Sequence, residues 1–241
     1  MILEVCVDSP RGLHSAVEAG ADRIELCSAL ALGGLSPNPG LVALASKAAV
    51  PVYAMVRPRP GDFIFDAADE AAMLAEIDQL RAHGIAGVVL GANRPDGTLD
   101  ADLLARLIAR AQGMGTTLHR AFDLTPDQPA ALETAIELGF ERVLTSGGQR
   151  SVLDAAPTIA QLLAQASGRI TVMPGGGIKP ANVEQMLAVP GITEIHASCR
   201  SPLGLDPQSL PVQFGFQPAD EGETDPVLVE RMRAILSQHS A

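Results

Sequence analysis

The sequence predicts an α/β fold, a single-domain (β/α)8 TIM barrel that spans residues 1–241. Two observations support this fold class. Eight short segments rich in Val and Ile alternate with longer segments of helical period, and no hairpin turn joins two strand segments. The strand segments start 21 to 36 residues apart, which is typical of parallel strands joined by helices. An open parallel sheet is the alternative, but eight such units in 241 residues favour a closed barrel.

The predicted elements have clear boundaries. The strand segments are "ILEVCV" (2–7), "RIELC" (23–27), "PVYAMVR" (51–57), "GVVLGA" (87–92), "GTTLHRAF" (115–122), "RVLTSG" (142–147), "RITVMPG" (169–175) and "ITEIHAS" (192–198). The clearest helical segments are Ala67–His83, Asp100–Gln112 and Gln128–Leu138. Asp100 is a suitable N-cap for its helix, and a glycine follows each of the three helices, as expected just after a helix C-terminus.

One segment, 201–226, interrupts the alternation of predicted strands and helices. It follows the eighth strand and is rich in Pro, Gly and acidic residues. A loop of this length in a compact domain is usually either functional or disordered. We therefore expect a long loop that is either a lid over the carboxyl ends of the strands or a disordered stretch.

Charge and cysteine content exclude some classes of partner. The net charge is −11, so the long-range field repels nucleic acid and anionic membrane surfaces. Three cysteines and the absence of a CxxC pair indicate free thiols in a reducing compartment. The first ten residues lack the basic start and apolar run of an export signal, and no apolar run is long enough to span a membrane. We expect a cytoplasmic protein.

Alternation along the strands predicts a polar barrel interior. In the first two strands, one face is apolar (Leu3, Val5 and Val7; Ile24 and Leu26) and suits the helix layer. The residues that must then point inward, by the same alternation in each strand, are Glu4, Cys6, Glu25, Cys27, Tyr53, Met55, Arg57, Glu194, His196 and Ser198. A purely structural barrel is filled with branched apolar side chains. This interior therefore favours a functional site, although ion pairs of Arg57 and Arg120 with Glu4 and Glu25 are a structural alternative.

The stretch "LHRAFD" (118–123) ends the fifth predicted strand with three chemically active side chains. His119 and Arg120 have opposite parity, so only one of them can point straight inward. We expect His119 to face the interior and Arg120 to reach across the rim. Asp123 follows within the same turn.

Glycine-rich loops end the sixth and seventh strands, "TSGG" (145–148) and "PGGGI" (174–178). Glycine permits close backbone approach, and amide groups at a helix start can hold an anion; tight turns that need a positive φ are the alternative. "RPRPGDF" (57–63) adds two arginines. The predicted anion-binding residues are Arg59, Ser146, Gly147, Gly148, Gly175, Gly176, Gly177 and Ser198.

Several ordered motifs resemble the CutC family, which is linked with copper homeostasis. They are "EVCVDS" (4–9), "GADRIELCSALALGGLSP" (20–37), "RPRPGDF" (57–63), "LHRAFD" (118–123), "ERVLTSGG" (141–148), "MPGGGI" (173–178) and "EIHAS" (194–198). The resemblance runs from Met1 to about Ser201 and implies a TIM barrel, a cytoplasmic location, a homodimer or higher homo-oligomer, and copper binding by Cys6 and Cys27.

Two functions are therefore expected. The first is binding of Cu(I), for which soft thiolates are suitable ligands, through Cys6 and Cys27. The alternative is an enzyme that performs isomerase- or lyase-type proton transfer on a small anionic or phosphorylated metabolite, with His119 or Glu25 as base and His196 as acid. Its predicted catalytic residues are Glu4, Glu25, Arg57, His119, Arg120, Asp123 and His196.

Overall fold

Eight parallel strands form one sheet that curls into a nearly closed barrel, which confirms the predicted fold class. The computed structural model describes residues 1–239, so 240 and 241, the end of the predicted domain, lie outside the described residues. The strands are β1 (Ile2–Val7), β2 (Arg23–Leu26), β3 (Val52–Met55), β4 (Gly87–Leu90), β5 (Gly115–Leu118), β6 (Arg142–Thr145), β7 (Thr171–Pro174) and β8 (Glu194–Ala197). Hydrogen bonds join them in the order β7-β6-β5-β4-β3-β2-β1-β8, and β8 also packs beside β7.

Helices cover the outside of the barrel. They are α1 (Pro10–Glu18), α2 (Pro39–Ala45), α3 (Ala67–Ala82), α4 (Ala101–Arg110), α5 (Gln128–Glu137), α6 (Ala156–Ala166) and α7 (Val183–Leu187), one after each of the first seven strands. The three helices predicted most clearly are present within two residues of their expected bounds. Asp100 caps α4 by accepting a hydrogen bond from the Leu103 amide at 3.1 Å, as its sequence position predicts.

The two faces of the strands differ as the alternation predicts. Leu3, Val5 and Ile24 are completely buried in the apolar layer between strands and helices. The opposite face points into the barrel: Arg23 on β2 donates a hydrogen bond to the Met173 sulfur on β7 at 3.3 Å, across the interior. Apolar packing therefore lies outside the strands, while polar groups fill the interior.

The amino-terminal half of the interior is closed by a charged layer. Arg23 pairs with both Glu4 and Glu194, and Arg142 lies 3.3 Å from the Glu194 carboxylate. Both guanidinium groups also lie over the Tyr53 ring, 5.4 Å (Arg23) and 4.6 Å (Arg142) from its centroid. Charged and aromatic side chains therefore fill the interior at this end of the barrel.

β5 is shorter than expected. The predicted strand reached residue 122, but β5 ends at Leu118 and a 3₁₀ turn occupies Arg120–Leu124. The cause is local: the His119 ring accepts a hydrogen bond from the Ala121 amide at 3.1 Å, which caps the turn and stops the extended chain. This turn places Asp123 at the rim of the barrel.

The segment after β8 contains regular structure where a long loop was expected. β9 (Arg200–Pro202) and β10 (Gly222–Thr224) pair antiparallel, α8 (Leu210–Gln213) lies between them, and α9 (Pro226–Gln238) follows. Ser9, the N-cap of α1, donates a hydrogen bond to Glu223 at 3.0 Å and so ties this hairpin to the barrel. Within residues 1–239, no helix is both long and apolar enough to cross a membrane.

Candidate functional site

A cavity of about 460 Å³ opens at the carboxyl ends of the strands. Its floor is formed by Cys6, Glu25 and His196, and its walls include Arg57, His119 and the loops after β5 and β7. The volume lies within the range of ordinary small-ligand pockets. The opening is at the end of the barrel where TIM-barrel enzymes place their active sites.

The floor brings together three side chains that can bind a metal ion. One ligand atom each from Cys6, Glu25 and His196 lies within 4.8 Å of the other two. The strand register produces this grouping, because Cys6 lies opposite Glu25 on β2 while Glu4, two residues before Cys6, lies opposite His196 on β8. All three side chains are buried.

Glu4 lies beneath the floor and orients His196. One of its carboxylate oxygens lies 2.8 Å from His196 Nδ1, and the other pairs with Arg23. His196 Nε2 is consequently the nitrogen that faces Glu25, at 3.9 Å. A carboxylate behind a histidine is the usual arrangement for holding a metal-binding imidazole in one orientation.

The two floor carboxylates have different electrostatic surroundings. Burial alone would raise the pKa of Glu4, but the hydrogen bond from His196 and the charge of Arg23 lower it to about 2. For Glu25, burial outweighs the charge of His196, so its pKa is raised. Burial by itself would lower the pKa of His196, but the acidic groups of Cys6 and Glu25 together raise it well above its ordinary value.

Cys27 contacts Glu25 but is not one of the three floor side chains that converge within 4.8 Å. Its thiol donates a hydrogen bond to Glu25 at 3.5 Å and packs with Tyr53, Met55 and Val89. Burial and the nearby Glu25 carboxylate raise the pKa of the Cys27 thiol well above its ordinary value. Cys199, the third free cysteine, is packed in the outer apolar layer, where burial raises its pKa to about 12.

His119 lies in the cavity wall, as its parity predicts. Its ring packs against Phe63, with centroids 4.8 Å apart, and fits only because residue 91 is glycine: a Cβ there would lie 2.2 Å from His119 Cε1. Burial and the charge of Arg57 lower the pKa of His119 to about 3. The imidazole is therefore neutral near pH 7 and is not suited to be a general base.

Arg57 is held by backbone oxygens. Its Nη1 donates to the carbonyls of Leu32 and Gly34 at 2.9 and 3.0 Å, and its Nη2 to that of Gly61 at 2.8 Å. Burial and the nearby Arg59 lower the pKa of Arg57. Neither Arg57 nor Arg120 forms an ion pair with Glu4 or Glu25 in residues 1–239, so the pairs of the structural alternative are absent there. Arg23 pairs with Glu4 and Glu194 instead.

The loop after β6 binds a carboxylate of the chain itself. Asp123 accepts hydrogen bonds from the amides of Ser146 (3.0 Å) and Gly148 (3.3 Å) and from the hydroxyls of Thr145 and Ser146. Arg120 pairs with the same carboxylate at 2.7 Å. Asp123 thus occupies the position that the sequence suggested for an external anion.

The remaining predicted anion-binding residues are dispersed. Gly176, Gly177 and Ser198 line the cavity, and both glycines have a positive φ, as the tight-turn alternative expects. Gly175 packs against Leu144 and His196, while Gly147 donates its amide to Thr145 Oγ1 at 2.9 Å. Arg59 lies outside the cavity and pairs with Asp62 and Asp69.

Sequence reasoning missed Arg23 and Arg142, which neutralise the interior. Arg23 shares its strand face with Glu25 and Cys27, so the alternation already contained the signal. Arg142 is the first residue of β6, "RVLT", a strand too short to show a clear alternation. Phe63 and Lys179, which also line the cavity, carry no comparable sequence signal.

Comparisons with known proteins identify the family. The model of the CutC family matches residues 1–201. A CutC family protein of Sinorhizobium medicae is 52% identical over 241 residues, which covers 100% of this chain and 98% of that protein. The human "Copper homeostasis protein cutC homolog" is 46% identical over 201 residues, 83% of this chain and 74% of that one. A crystal structure of CutC from Streptococcus agalactiae superposes with a TM-score of 0.78 at 27% identity, over 82% of this chain and 98% of that one. The chain therefore belongs to the CutC family.

Proposed function

We propose that the protein binds Cu(I) at the floor of the barrel cavity, with Cys6 and His196 as the principal ligands and Glu25 beside them. One observation carries the proposal: a thiol, an imidazole and a carboxylate from three adjacent strands converge within 4.8 Å. The copper homeostasis name of the human relative is consistent with this cargo.

The donor set suits a soft, singly charged ion. Thiolate sulfur and imidazole nitrogen are both good ligands for copper. The Glu4 hydrogen bond at Nδ1 leaves His196 Nε2 as the ligand atom on the cavity side. Because the pKa of His196 is raised, copper would have to displace a proton from Nε2 when it binds. The ion pairs of Arg23 lie beneath the floor, so we expect the ion to enter the cavity at the carboxyl ends of the strands.

Cys27 has a secondary role in this proposal. The resemblance to the CutC family implied a Cys6–Cys27 pair, and both thiols belong to the same face of adjacent strands. The Cys27 thiol donates a hydrogen bond to Glu25, and the raised pKa of Cys27 disfavours its thiolate form. We therefore propose that Cys27 positions Glu25 and that Cys6 supplies the sulfur ligand.

Anaerobic titration of Cu(I) against a chromogenic chelator tests the proposal. We expect one equivalent to bind the wild type, Cys6→Ser to weaken binding by about a hundredfold or more, and Cys27→Ser to weaken it by about tenfold or less. Cys199→Ala is the matched control, because it removes a buried thiol in the outer layer. Equal affinity in Cys6→Ser and wild type would exclude the site.

A second candidate function is an enzyme acting on a small anion. The observation that favours it is the pair of buried, unpartnered nitrogens in the cavity wall, His119 Nε2 and Arg57 Nε, which suits an oxyanion better than a metal. Glu25 and His196 would then move a proton at the floor. NMR detection of carbon-bound hydrogen exchange in D2O, with small carboxylic acids and with Glu25→Gln as the control, tests it; no exchange above buffer for any compound would exclude it for these acids.

We also propose a cytoplasmic location and a homo-oligomeric state. Three buried free cysteines support a reducing compartment. The oligomer is supported only by the resemblance to the family. Multi-angle light scattering of the purified chain measures its mass directly, and a monomer mass would contradict the proposal.

A further inference from the structure

The wall of the cavity contains two buried donors that no acceptor in the described chain satisfies. They are His119 Nε2 and Arg57 Nε, and the copper site uses neither. Buried N–H groups are nearly always hydrogen-bonded, so an unsatisfied pair in one cavity needs an explanation. Both side chains line the cavity that opens at the carboxyl ends of the strands.

Local contacts fix the position of the His119 proton. Its Nδ1 accepts the Ala121 amide hydrogen at 3.1 Å, so a neutral ring must carry its proton on Nε2. Gly91 lies under the Nδ1 and Cε1 edge of the ring, and the buried Nε2 on the other edge has no hydrogen-bond partner within residues 1–239. His119 is therefore a hydrogen-bond donor at a fixed position.

Arg57 is a buried cation whose charge no carboxylate neutralises. Its side chain forms no ion pair in residues 1–239, and three of its five N–H groups donate hydrogen bonds to backbone carbonyls. Arg57 and His119 both pack against the Phe63 ring. The Arg57 Cζ lies 4.8 Å from the Phe63 ring centroid, and the ring centroids of His119 and Phe63 are 4.8 Å apart. A buried charge is costly unless it is paired, so an anionic ligand would remove this cost.

We propose that the cavity wall binds a small monocarboxylate, whose carboxylate group accepts hydrogen bonds from His119 Nε2 and Arg57 Nε. This inference rests on the second candidate function for its general class of ligand and deepens it by naming the ligand group and its two donors. It is independent of copper.

The surroundings favour a carboxylate over a phosphate. The loop amides that could hold a phosphate donate to Asp123 instead, and the carboxyl groups of Asp123 and Glu25 line the same cavity. A dianion would be repelled more strongly than a monoanion.

The test is a titration with acetate, lactate and pyruvate, with inorganic phosphate for comparison, followed by the 15N–1H signal of His119 Nε2. We expect at least one carboxylate to shift this signal saturably in the wild type and phosphate to bind more weakly. His119→Phe, which keeps a ring over Gly91, should weaken carboxylate binding by about tenfold, the effect of one lost hydrogen bond. His83→Phe, at an exposed helix end, is the matched control and should bind as the wild type does.

Three results would overturn the inference: no saturable shift with any of the three carboxylates, tighter binding of phosphate than of all of them, or unchanged carboxylate affinity in His119→Phe. The wild-type signal decides the question even where a variant does not fold. Cu(I) titration of His119→Phe separates the two sites, since we expect its copper affinity to equal that of the wild type. Carboxylate binding without hydrogen exchange at carbon would support the binding site and contradict only the proposal that the protein is an enzyme.

Discussion

At the scale of single residues, the polar interior is stable because its buried carboxylates have cationic partners. Glu4 is completely buried, yet its pKa is lowered to about 2 because His196 and Arg23 outweigh the cost of burial. A buried ion pair adds little net stability, but removing one partner leaves an uncompensated charge. Glu4 therefore supports both the fold and the orientation of His196.

Glu4→Gln should lower the free energy of unfolding by about 3 kcal/mol, because it leaves Arg23 with one partner fewer in the interior. It should also weaken Cu(I) binding, since His196 loses its orienting carboxylate. Urea denaturation and the chelator titration measure the two effects. Glu133→Gln, which breaks an exposed ion pair with Arg169, is the control and should leave the urea midpoint nearly unchanged. Equal midpoints for the two variants would contradict the pairing described here.

His119 should make stability depend on pH. Its pKa is about 3 in the folded protein and 6.5 in an unfolded chain, so between these values the unfolded chain binds a proton that the folded protein does not. Stability from this group is therefore lost as the pH falls below about 6.5, by at most about 1.4 kcal/mol per pH unit. The slope of unfolding free energy against pH, between pH 6 and 4, should be shallower in His119→Phe. The same slope in variant and wild type would show that His119 can be protonated in the folded protein.

At the scale of elements, the strands and helices were predictable because hydrophobic period and caps are local signals. The ends of the strands were harder to predict, because a single hydrogen bond from the backbone to a side chain can decide where the extended chain stops. The turn at Arg120–Leu124 depends on His119 in this way. The antiparallel pair β9 and β10 was also missed, since each strand has three residues and too few side chains to show an alternation.

The loops after β5 and β6 should depend on Asp123, which accepts hydrogen bonds from the amides of Ser146 and Gly148. Asp123→Ala removes these acceptors and should speed hydrogen exchange of both amides by about tenfold or more, because each loses a charge-assisted hydrogen bond. Amides in the middle of α4 serve as the internal reference and should not change. Unaltered exchange at Ser146 and Gly148 would mean that Asp123 does not hold the loop.

At the scale of the whole molecule, the sequence indicates which residues face the barrel interior, but it does not indicate which of them contact one another. Parity placed Glu4, Cys6 and Glu25 inside the barrel, and the structure agrees. Glu4 pairs with Arg23 and not with Arg57 or Arg120, which the structural alternative had named, because contacts across the interior depend on the stagger of the strands. Arg23 and Met173, which touch across the barrel, are 150 residues apart in the chain, and no local pattern links them.

The exposed aromatic pair beside α8 should contribute little to the stability of the fold. Phe214 and Phe216 stack with centroids 6.1 Å apart and are 69% and 83% exposed. Replacing either by Ser should change the unfolding free energy by less than about 0.5 kcal/mol, as measured in urea at low protein concentration. A loss of about 2 kcal/mol or more would show that the pair is buried in an assembly.

The most direct test of the copper site is X-ray absorption fine structure at the copper K-edge of the Cu(I)-loaded wild-type protein. We predict a mixed first shell, one sulfur from Cys6 and one imidazole nitrogen from His196, and loss of the sulfur in Cys6→Ser. A shell of two sulfurs without imidazole, or a sulfur that persists in Cys6→Ser, would contradict the site.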